Sequence, residues 1–379
     1  MKVFAPLEQT PGERRVAVTP DTTGRLQQAG VSVAVEAGAG VAATHSDDAY
    51  REAGAEVVES AEAGYREAGC VLKVQPPSPE EAERVPEGAA LISLLQPAAE
   101  REVVDVLLRR RITAFSLELL PRISRAQSMD ALSSQASISG YKAVLMAADR
   151  LGKYFPMLMS AAGTIAPARV LVLGAGVAGL QAIATARRLG AVVEAYDVRP
   201  AVREEVQSLG AKFLELDLES QEGEGGYARE QGEEFLTKQR ELLTERVAAS
   251  DVVITTAAVP GRRAPVLVTA AMAEGMRRGS VLVDIAAETG GNCELTRPGE
   301  VVETPAGAFV DGTTNLPSLV AVHASQLFAR NVANLLLEFL KDGELAVDLG
   351  NDIASGCCVT RDGQLVSERA KQLMEVPAS

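Results

Sequence analysis

A glycine-rich turn between a predicted strand and a predicted helix is the feature that most constrains this chain. Residues 174–179 read GAGVAG, directly after the apolar run RVLVL and directly before a segment with helical periodicity. The next apolar run, VVEAYD, ends at Asp197, about 20 residues beyond the turn. A glycine pattern alone is a weak signal, but with the flanking strand, helix and acidic residue it predicts a dinucleotide-binding domain.

Each glycine of this turn has a separate physical task. Gly174 permits the tight turn, Gly176 lets the backbone approach a pyrophosphate, and Gly179 lets the helix pack closely against the strand. The free N–H groups and the dipole of the helix N-terminus stabilise the phosphate charge. The predicted cofactor-binding residues of the turn are Gly174, Ala175, Gly176, Val177 and Gly179.

Asp197 indicates which dinucleotide is bound. Its carboxylate is expected to accept hydrogen bonds from the adenosine ribose hydroxyls and to repel a 2′-phosphate, so the sequence predicts NAD(H) over NADP(H). Arg199 points the other way, because a nearby arginine can accommodate a 2′-phosphate. The alternative to a binding site is a set of glycines that serves packing alone.

Short apolar runs alternate with helical segments along most of the chain. The strand-like runs include KVFAPL, VSVAVE, CVLKV, ALISLL and ITAFSL before the glycine turn, and AKFLELD, DVVITTA, SVLVDIA and GAFVDG after it. Strands separated by helices favour parallel sheets. The predicted fold class is therefore α/β, with two Rossmann-like, doubly wound parallel-sheet domains joined by long helices.

The domain boundaries follow from two long helical segments. A length of 379 residues suits two domains. One long helix is predicted within residues 128–152, and a second within residues 316–343, ending at Gly343. The predicted domains are a discontinuous first α/β domain, residues 1–132 plus 318–379, and an NAD(H)-binding domain, residues 133–317.

Residues 219–234, ESQEGEGGYAREQGEE, interrupt the α/β pattern. The segment is acidic, rich in glycine and nearly devoid of aliphatic side chains, so it cannot bury much surface and is predicted to be a mobile loop. An inert surface insertion is the simplest interpretation. Its one aromatic residue, Tyr227, favours a second interpretation, a functional lid.

Charge and composition exclude several classes of function. A formal net charge of −14 argues against nucleic-acid binding and against docking on anionic lipid. The sequence has no apolar run near the roughly 20 residues that span a bilayer, and its N-terminus does not resemble a signal peptide. The four cysteines lack metal-ligand spacing with a histidine, so no metal site is predicted and a cytosolic chain with reduced thiols is expected.

Longer strings resemble a known family. The segments are PRISRAQSMDALSSQA, GAGVAGLQAIATARRLGAVVEAYDVRP, DVVITTAAVPGRRAP and VDIAAETGGNCE. They are similar to the NAD(H)-binding component of proton-translocating nicotinamide nucleotide transhydrogenases, and the resemblance covers nearly the whole chain. That family is related in fold to alanine dehydrogenase, whose N-terminal domain the first domain is expected to resemble.

The resemblance implies roles for single residues. Arg122, Gln127, Asp130 and Ser133 match the residues that hold the nicotinamide end of the cofactor, and Asp130 is expected to orient Arg122 or Gln127. For Ser133 a helix-capping role is nearly as good an interpretation. Further matches to cofactor contacts are Asp197, Val198, Arg199, Gly226, Tyr227, Gln239 and Ala258, with Tyr227 on a loop that folds over bound nucleotide.

The resemblance also implies an activity and partners. The family transfers a hydride directly between NAD(H) on this component and NADP(H) on a partner component, with Si/Re specificity, while a membrane-spanning component couples the transfer to proton translocation. This chain is expected to be a separate polypeptide, a homodimer without direct membrane insertion, held by its partners at the cytoplasmic face of the inner membrane. Alone it should bind NADH and complete no turnover.

Two other functions compete with this interpretation. Alanine dehydrogenase holds its substrate with an arginine and a lysine, matched here by Arg15 and Lys73, and transfers a proton through a histidine. The histidine position is Gln96, which cannot shuttle a proton at neutral pH, and neither His45 nor His323 lies in a segment that could replace it. The third candidate is a non-enzymatic NAD sensor.

Overall fold

The computed structural model describes residues 1–215, 233–258 and 263–375 of the chain. These residues form two compact units, Met1–Gln135 with Ser318–Ser379 (unit 1) and Ala136–Pro317 (unit 2). Within the described ranges no helix is both long enough and apolar enough to cross a membrane.

The first segment of unit 1 alternates strands and helices. The strands are β1 Lys2–Ala5, β2 Ser32–Glu36, β3 Glu56–Val58, β4 Cys70–Leu72, β5 Ala90–Ser93 and β6 Thr113–Ser116. The helices are α1 Pro20–Gln28, α2 Asp47–Glu52, α3 Ala61–Arg66, α4 Pro79–Arg84 and α5 Arg101–Arg109. Serine and threonine caps start most of these helices; Thr19, for example, forms a capping box with Thr22 ahead of Pro20.

The long helix α6 begins at Ala131 in unit 1 and runs to Arg150 in unit 2. The strands of unit 2 are β7 Leu158–Ser160, β8 Gly163–Ile165, β9 Arg169–Leu173, β10 Val192–Tyr196, β11 Lys212–Leu214, β12 Val252–Thr255, β13 Val281–Asp284, β14 Val301–Glu303 and β15 Phe309–Asp311. Its remaining helices are α7 Val177–Arg188, α8 Arg203–Ser208, α9 Glu233–Ala249 and α10 Ala270–Glu274.

The tail of the chain completes unit 1. Its elements are α11 Ala321–Glu338, β16 Leu340–Lys341, β17 Glu344–Leu345, α12 Asp352–Cys357, β18 Cys358–Arg361, β19 Gln364–Leu365 and α13 Glu368–Glu375. The predicted end of the long helix at Gly343 is wrong. Helix α11 stops at Glu338, and Gly343 lies in the turn of the β16–β17 hairpin, where its φ of +78° suits glycine.

Both units have a doubly wound sheet. Unit 1 has the strand order β19-β18-β6-β5-β4-β1-β2-β3, in which β1 to β6 are parallel and the last two strands of the chain are antiparallel additions at one edge. Unit 2 has the order β11-β10-β9-β12-β13-β15-β14, parallel except for the edge strand β14. The predicted fold class is confirmed, because both sheets follow the order of dinucleotide-binding folds outward from their first strand.

Each sheet is buried on both faces, which explains the continuous apolar strands. In unit 2 Val170, Val172 and Ile254 pack on one face, while Leu171 and Val253 pack on the other. Unit 1 repeats the arrangement with two further core clusters. Parallel strands covered by helices on both sides lose the polar alternation of half-exposed strands.

Candidate functional site

The glycine turn of unit 2 lies at the point where the strand order of its sheet reverses. Strand β9 pairs with β10 on one side and with β12 on the other, and all three run parallel. Their carboxyl ends therefore lead into neighbouring loops at one edge, which carry Gly174, Asp197 and Ala258. Ligands of open α/β sheets bind in the crevice at such a switch point.

The three glycines of the turn have different surroundings. Gly174 has a φ of +100°, and a Cβ there would lie 2.5 Å from Thr256 Oγ1. A Cβ on Gly179 would lie 1.8 Å from the Gly174 carbonyl oxygen, so the helix can approach the turn only with glycine at this position. A Cβ on Gly176 would have no atom of the described chain within 4 Å. Two glycines thus serve the turn and its packing, and the third faces open space.

The start of helix α7 suits an anion. Gly176 is the N-cap residue, and among the described residues no side chain caps this end. The first turn carries no acidic residue. Uncapped N–H groups at a helix N-terminus, beside an open glycine, fit a pyrophosphate.

Asp197 follows β10, and its carboxylate is already paired. Oδ2 accepts hydrogen bonds from Ala175 N at 2.7 Å and Arg199 Nη2 at 2.8 Å, while Oδ1 accepts from Arg199 Nε and N, both at 2.9 Å. Burial raises the pKa of Asp197, but the Arg199 and Ala175 hydrogen bonds outweigh it and hold the pKa below its usual value. Arg199 thus occupies the carboxylate that was predicted to bind ribose hydroxyls.

The remaining predicted cofactor residues of unit 2 are dispersed around this edge. Val198 packs against the core beneath the site. Gln239 is buried on α9 and donates to the Tyr196 hydroxyl at 3.0 Å. Ala258 is exposed after the carboxyl end of β12. Gly226 and Tyr227, with the predicted mobile loop up to residue 232, lie outside the described residues.

Sequence reasoning missed two polar residues beneath this edge, Asp284 and Asn292. Asp284 ends β13 and is fully buried, and Asn292 is fully buried as well. The Asn292 amide bonds to both the N–H and the C=O of Ala257. A signal existed, since both residues lie in the string VDIAAETGGNCE, whose polar positions follow an apolar strand.

Unit 1 holds the four residues predicted to bind the nicotinamide end. Arg122 and Gln127 are exposed, and Gln127 lies in the 3-10 helix Ser124–Met129. That helix is fixed to α11, because Asn331 and Asn334 both donate from Nδ2 to the Ser128 carbonyl oxygen, at 2.9 and 2.7 Å.

Asp130 caps helix α6. Its Oδ1 accepts from Ser133 N at 2.9 Å and its Oδ2 accepts from Ser133 Oγ at 2.6 Å. Ser133 thus donates to both oxygens of Asp130, and the role of Asp130 in orienting Arg122 or Gln127 stays a prediction. The helix-capping interpretation of Ser133 shifts, since Ser133 is the third helical residue and Asp130 provides the cap.

The comparisons with known proteins agree along the whole chain. A family model described as alanine dehydrogenase/PNT, N-terminal domain, matches residues 4–139, and the corresponding C-terminal domain model matches residues 143–368. A Rhodospirillum rubrum protein, named as the first part of NAD(P) transhydrogenase subunit alpha, is 49% identical over 376 residues, which cover 97% of this chain and 98% of that protein. The chain belongs to the family of NAD(P) transhydrogenase alpha subunits. The resemblance read from the sequence motifs is confirmed.

Solved structures give the same result for this chain. The crystal structure of transhydrogenase from Sinorhizobium meliloti has a TM-score of 0.86 and 40% identity, covering 97% of this chain and 100% of the other. An L-alanine dehydrogenase structure has a TM-score of 0.83 and 29% identity, with 99% of each chain covered. The alanine dehydrogenase of Mycolicibacterium smegmatis is 30% identical over 384 residues, covering 100% of this chain and 98% of that protein.

The two cations that the resemblance matched to the substrate residues of alanine dehydrogenase, Arg15 and Lys73, both pair with acidic side chains of this chain. Arg15 Nε and Nη2 donate to the two oxygens of Glu13, at 2.8 and 2.7 Å. Lys73 Nζ lies 2.8 Å from Glu81 Oε1 and 3.4 Å from Glu8 Oε2. Although burial raises the pKa of Glu13, its bonds to Arg15 hold that pKa at about 2.

Gln96 follows β5 of the same unit with a φ of +48°. The carboxylate of Glu118 accepts the N–H groups of Leu95 and Gln96, which holds this turn in the left-handed region. In the part of the chain that the structure describes, no group of three or more histidine, cysteine or acidic side chains is placed to hold a metal ion.

Proposed function

We propose that this chain binds NAD(H) at the switch point of unit 2, within the domain proposed at residues 133–317. There it exchanges a hydride directly with NADP(H) bound on a partner component. A membrane-spanning component couples this transfer to proton translocation. The chain acts as the NAD(H)-binding piece of an NAD(P) transhydrogenase alpha subunit, with Si/Re specificity.

The observation that carries the proposal is the glycine turn at the switch point. It combines an open Gly176, a Gly179 packed on Gly174, and an uncapped start of helix α7. A dinucleotide pyrophosphate needs this set of features. The names of the relatives support the reaction, since proteins 42 to 49% identical to this chain are called NAD(P) transhydrogenase subunit alpha or the first part of that subunit.

The bound cofactor supplies a nicotinamide ring whose C4 carries or accepts the hydride. Asp197 would accept hydrogen bonds from the adenosine ribose hydroxyls through the carboxylate that Ala175 N and Arg199 also contact. Arg122 and Gln127 hold the carboxamide and ribose of the nicotinamide half, while Asp130 and Ser133 fix the start of α6 beside them. No proton is exchanged with water, so the residues need to place the ring, and no general base is required.

The partners follow from the same proposal. A chain that holds one nucleotide needs a component that presents NADP(H). The relatives' names, which describe one subunit or the first part of one, fit a multi-component assembly. We propose a homodimer located at the cytoplasmic face of the inner membrane through its partner subunits.

A mixing assay tests the proposal. Purified chain is combined with an NADP(H)-binding transhydrogenase component, NADPH and a spectroscopically distinct NAD analogue, and reduction of the analogue is followed. Transfer should require both proteins. It should fall about a hundredfold in Arg122→Ala, because a misplaced ring loses this much rate, and also in Gln127→Asn.

Arg125→Ala is the matched control, since Arg125 is an exposed arginine of the same segment that bonds to Asn351. It should leave transfer near the wild-type rate. No transfer with any NADP(H)-binding component, with NADH binding intact, would replace the proposal by the NAD sensor.

Alanine dehydrogenase is the second candidate, because a relative of that name is 30% identical along the whole chain. Gln96 argues against it, since glutamine neither takes up nor releases a proton at neutral pH. The internal pairing of Arg15 and Lys73 argues against it as well. Alanine-dependent reduction of NAD by the chain alone would reverse this ranking.

A further inference from the structure

A buried carboxylate organises the carboxyl end of strand β13. Asp284 has an exposed fraction of 0% and accepts five hydrogen bonds. The donors are Thr255 Oγ1 at 2.8 Å and Ala286 N at 3.1 Å on Oδ1, with Asn292 N at 2.7 Å, Cys293 N at 3.1 Å and Thr296 Oγ1 at 2.6 Å on Oδ2. A carboxylate with this many donors is stable when buried, and it fixes every segment that donates to it.

Asn292 connects this carboxylate to the loop after β12, at the edge of the candidate site. Its Oδ1 accepts from Ala257 N at 3.0 Å, and its Nδ2 donates to the carbonyl oxygens of Ala257 and Pro265, both at 2.8 Å. One amide therefore satisfies both backbone groups of Ala257, the second residue after β12. Only a side chain that donates and accepts at this length can do so.

The backbone that Asn292 holds lies directly beside the glycine turn. Thr256 Oγ1 donates to the Gly174 carbonyl oxygen at 3.1 Å, and Thr256 N donates to the Leu173 carbonyl oxygen at 2.8 Å. Hydrogen bonds thus link Asp284 through Asn292 to Ala257, and the preceding residue in the chain, Thr256, bonds to Gly174.

Glycine makes the approach of Asn292 possible. Gly290 and Gly291 have φ values of +101° and +76°, and a Cβ on Gly291 would lie 2.9 Å from Asp284 Oδ2. The two glycines of the sequence TGGN therefore allow the asparagine to lie against the buried carboxylate.

We infer that Asn292, held by Asp284, is a positioning residue for the nicotinamide half of the bound dinucleotide. The inference rests on the proposed function. A doubly wound sheet binds its dinucleotide in two halves. Asp197, for the adenosine half, follows strand β10, and β12 opens the second half, whose loop begins with Thr256, Ala257 and Ala258. Asn292 fixes this backbone, and its side-chain bonds within the described residues go to Ala257 and Pro265 and not to Asp197.

The experiment compares two ligands on one set of variants. Binding of NADH and of ADP-ribose, which lacks the nicotinamide ring, is measured by calorimetry on the full chain. In Asn292→Ala the Kd of NADH should rise about tenfold, the effect of one lost polar constraint, while the Kd of ADP-ribose should stay within about twofold. In the mixing assay kcat should fall more than KM rises.

Thr296→Val is the matched control. It removes one of the five donors to Asp284 but leaves all three side-chain bonds of Asn292 in place. It should lower the melting temperature as Asn292→Ala does and leave both Kd values unchanged. If Asn292→Ala does not fold, Asn292→Leu serves, since it keeps about the same size and removes the side-chain bonds without burying a second charge beside Asp284.

Three outcomes decide the inference. A rise in the NADH Kd alone supports it. Equal losses for NADH and ADP-ribose, or a lower melting temperature with both Kd values unchanged, would show that Asn292 has only a structural role. A wild-type chain that binds neither ligand would instead overturn the proposed function, which keeps the two failures distinct.

Discussion

At the scale of single residues, alanine substitutions at two glycines of the same turn should have different effects, one on NADH binding and the other on stability. Gly176→Ala should fold normally, because its Cβ would meet no described atom within 4 Å and its φ of −77° suits alanine. It should lose NADH binding, since the methyl group fills the space for the pyrophosphate. Gly179→Ala should unfold at a lower temperature, because its Cβ would lie 1.8 Å from a carbonyl oxygen. Thermal melting with and without NADH measures both effects, and a Gly176→Ala protein that still binds NADH tightly would contradict the assignment.

Asp197 should decide between the two dinucleotides. Asp197→Ala should raise the Kd of NADH about ten- to hundredfold, the effect of losing hydrogen bonds to a charged group. The Kd of NADPH should rise less, because Arg199 loses its partner and becomes available to a 2′-phosphate. Fluorescence titration with both nucleotides gives the ratio. Glu194→Ala is the control, since Glu194 lies on the same strand but pairs with Lys212 and Arg246. An equal rise in the Kd values of NADH and NADPH would mean that Asp197 does not distinguish a ribose hydroxyl from a 2′-phosphate.

At the scale of elements, helix α6 depends on its cap. Asp130→Ala removes the side-chain acceptor for Ser133 N and should lower the free energy of unfolding by about 0.5–2 kcal/mol. Asp130→Asn should lower the free energy of unfolding much less, because asparagine caps helices equally well. Urea denaturation measures both. Asp149→Ala, an exposed change near the other end of α6, is the control and should cost nothing. If the melting temperature and the urea midpoint of Asp130→Ala equal those of the wild type, the Asp130 side chain does not stabilise helix α6.

The elements also show what the sequence could predict. Apolar runs such as RVLVL and DVVITTA predicted strands within one or two residues of β9 and β12, because a strand buried on both faces has a local signature. The glycine turn was equally predictable, because its pattern lies within six consecutive residues. Hydrogen bonds between distant segments were not predictable, because they depend on which loops the sheet order brings together. Asp284 and Asn292 are such a case. Gly343 was misjudged because a glycine after a helical run fits both a helix end and a hairpin turn.

At the scale of the whole molecule, the two units share a sheet topology but differ in the chemistry at its switch point. Unit 2 places glycines and the start of helix α7 there, which no side chain of the described residues caps. Unit 1 places charged side chains after β1 and β4, and pairs them internally as Arg15 with Glu13 and Lys73 with Glu8 and Glu81. One topology thus carries a glycine turn and a helix start in one unit and an ionic cluster in the other. This cluster, in a chain of net charge −14, should shape how stability changes with pH.

Glu8 gives the clearest pH prediction. Its side chain is 3% exposed, and burial raises its pKa to about 7 against the opposing effects of Lys73 and the Val74 N–H. The nearby Glu13 and Glu81 raise it further. A carboxyl whose pKa is higher in the folded state binds more protons there, so its contribution to stability declines as pH rises from about 4.5 to 7.

Glu8→Gln carries no titrating group and should escape this decline. The melting temperature of Glu8→Gln minus that of the wild type should therefore increase between pH 5 and pH 8. Glu52→Gln removes the same charge from the exposed end of α2 and should give a difference that stays flat across this range. Scanning calorimetry across the range measures both differences. A Glu8→Gln difference that is also flat would mean that Glu8 stays ionised in the folded protein, with Lys73 compensating its burial in full.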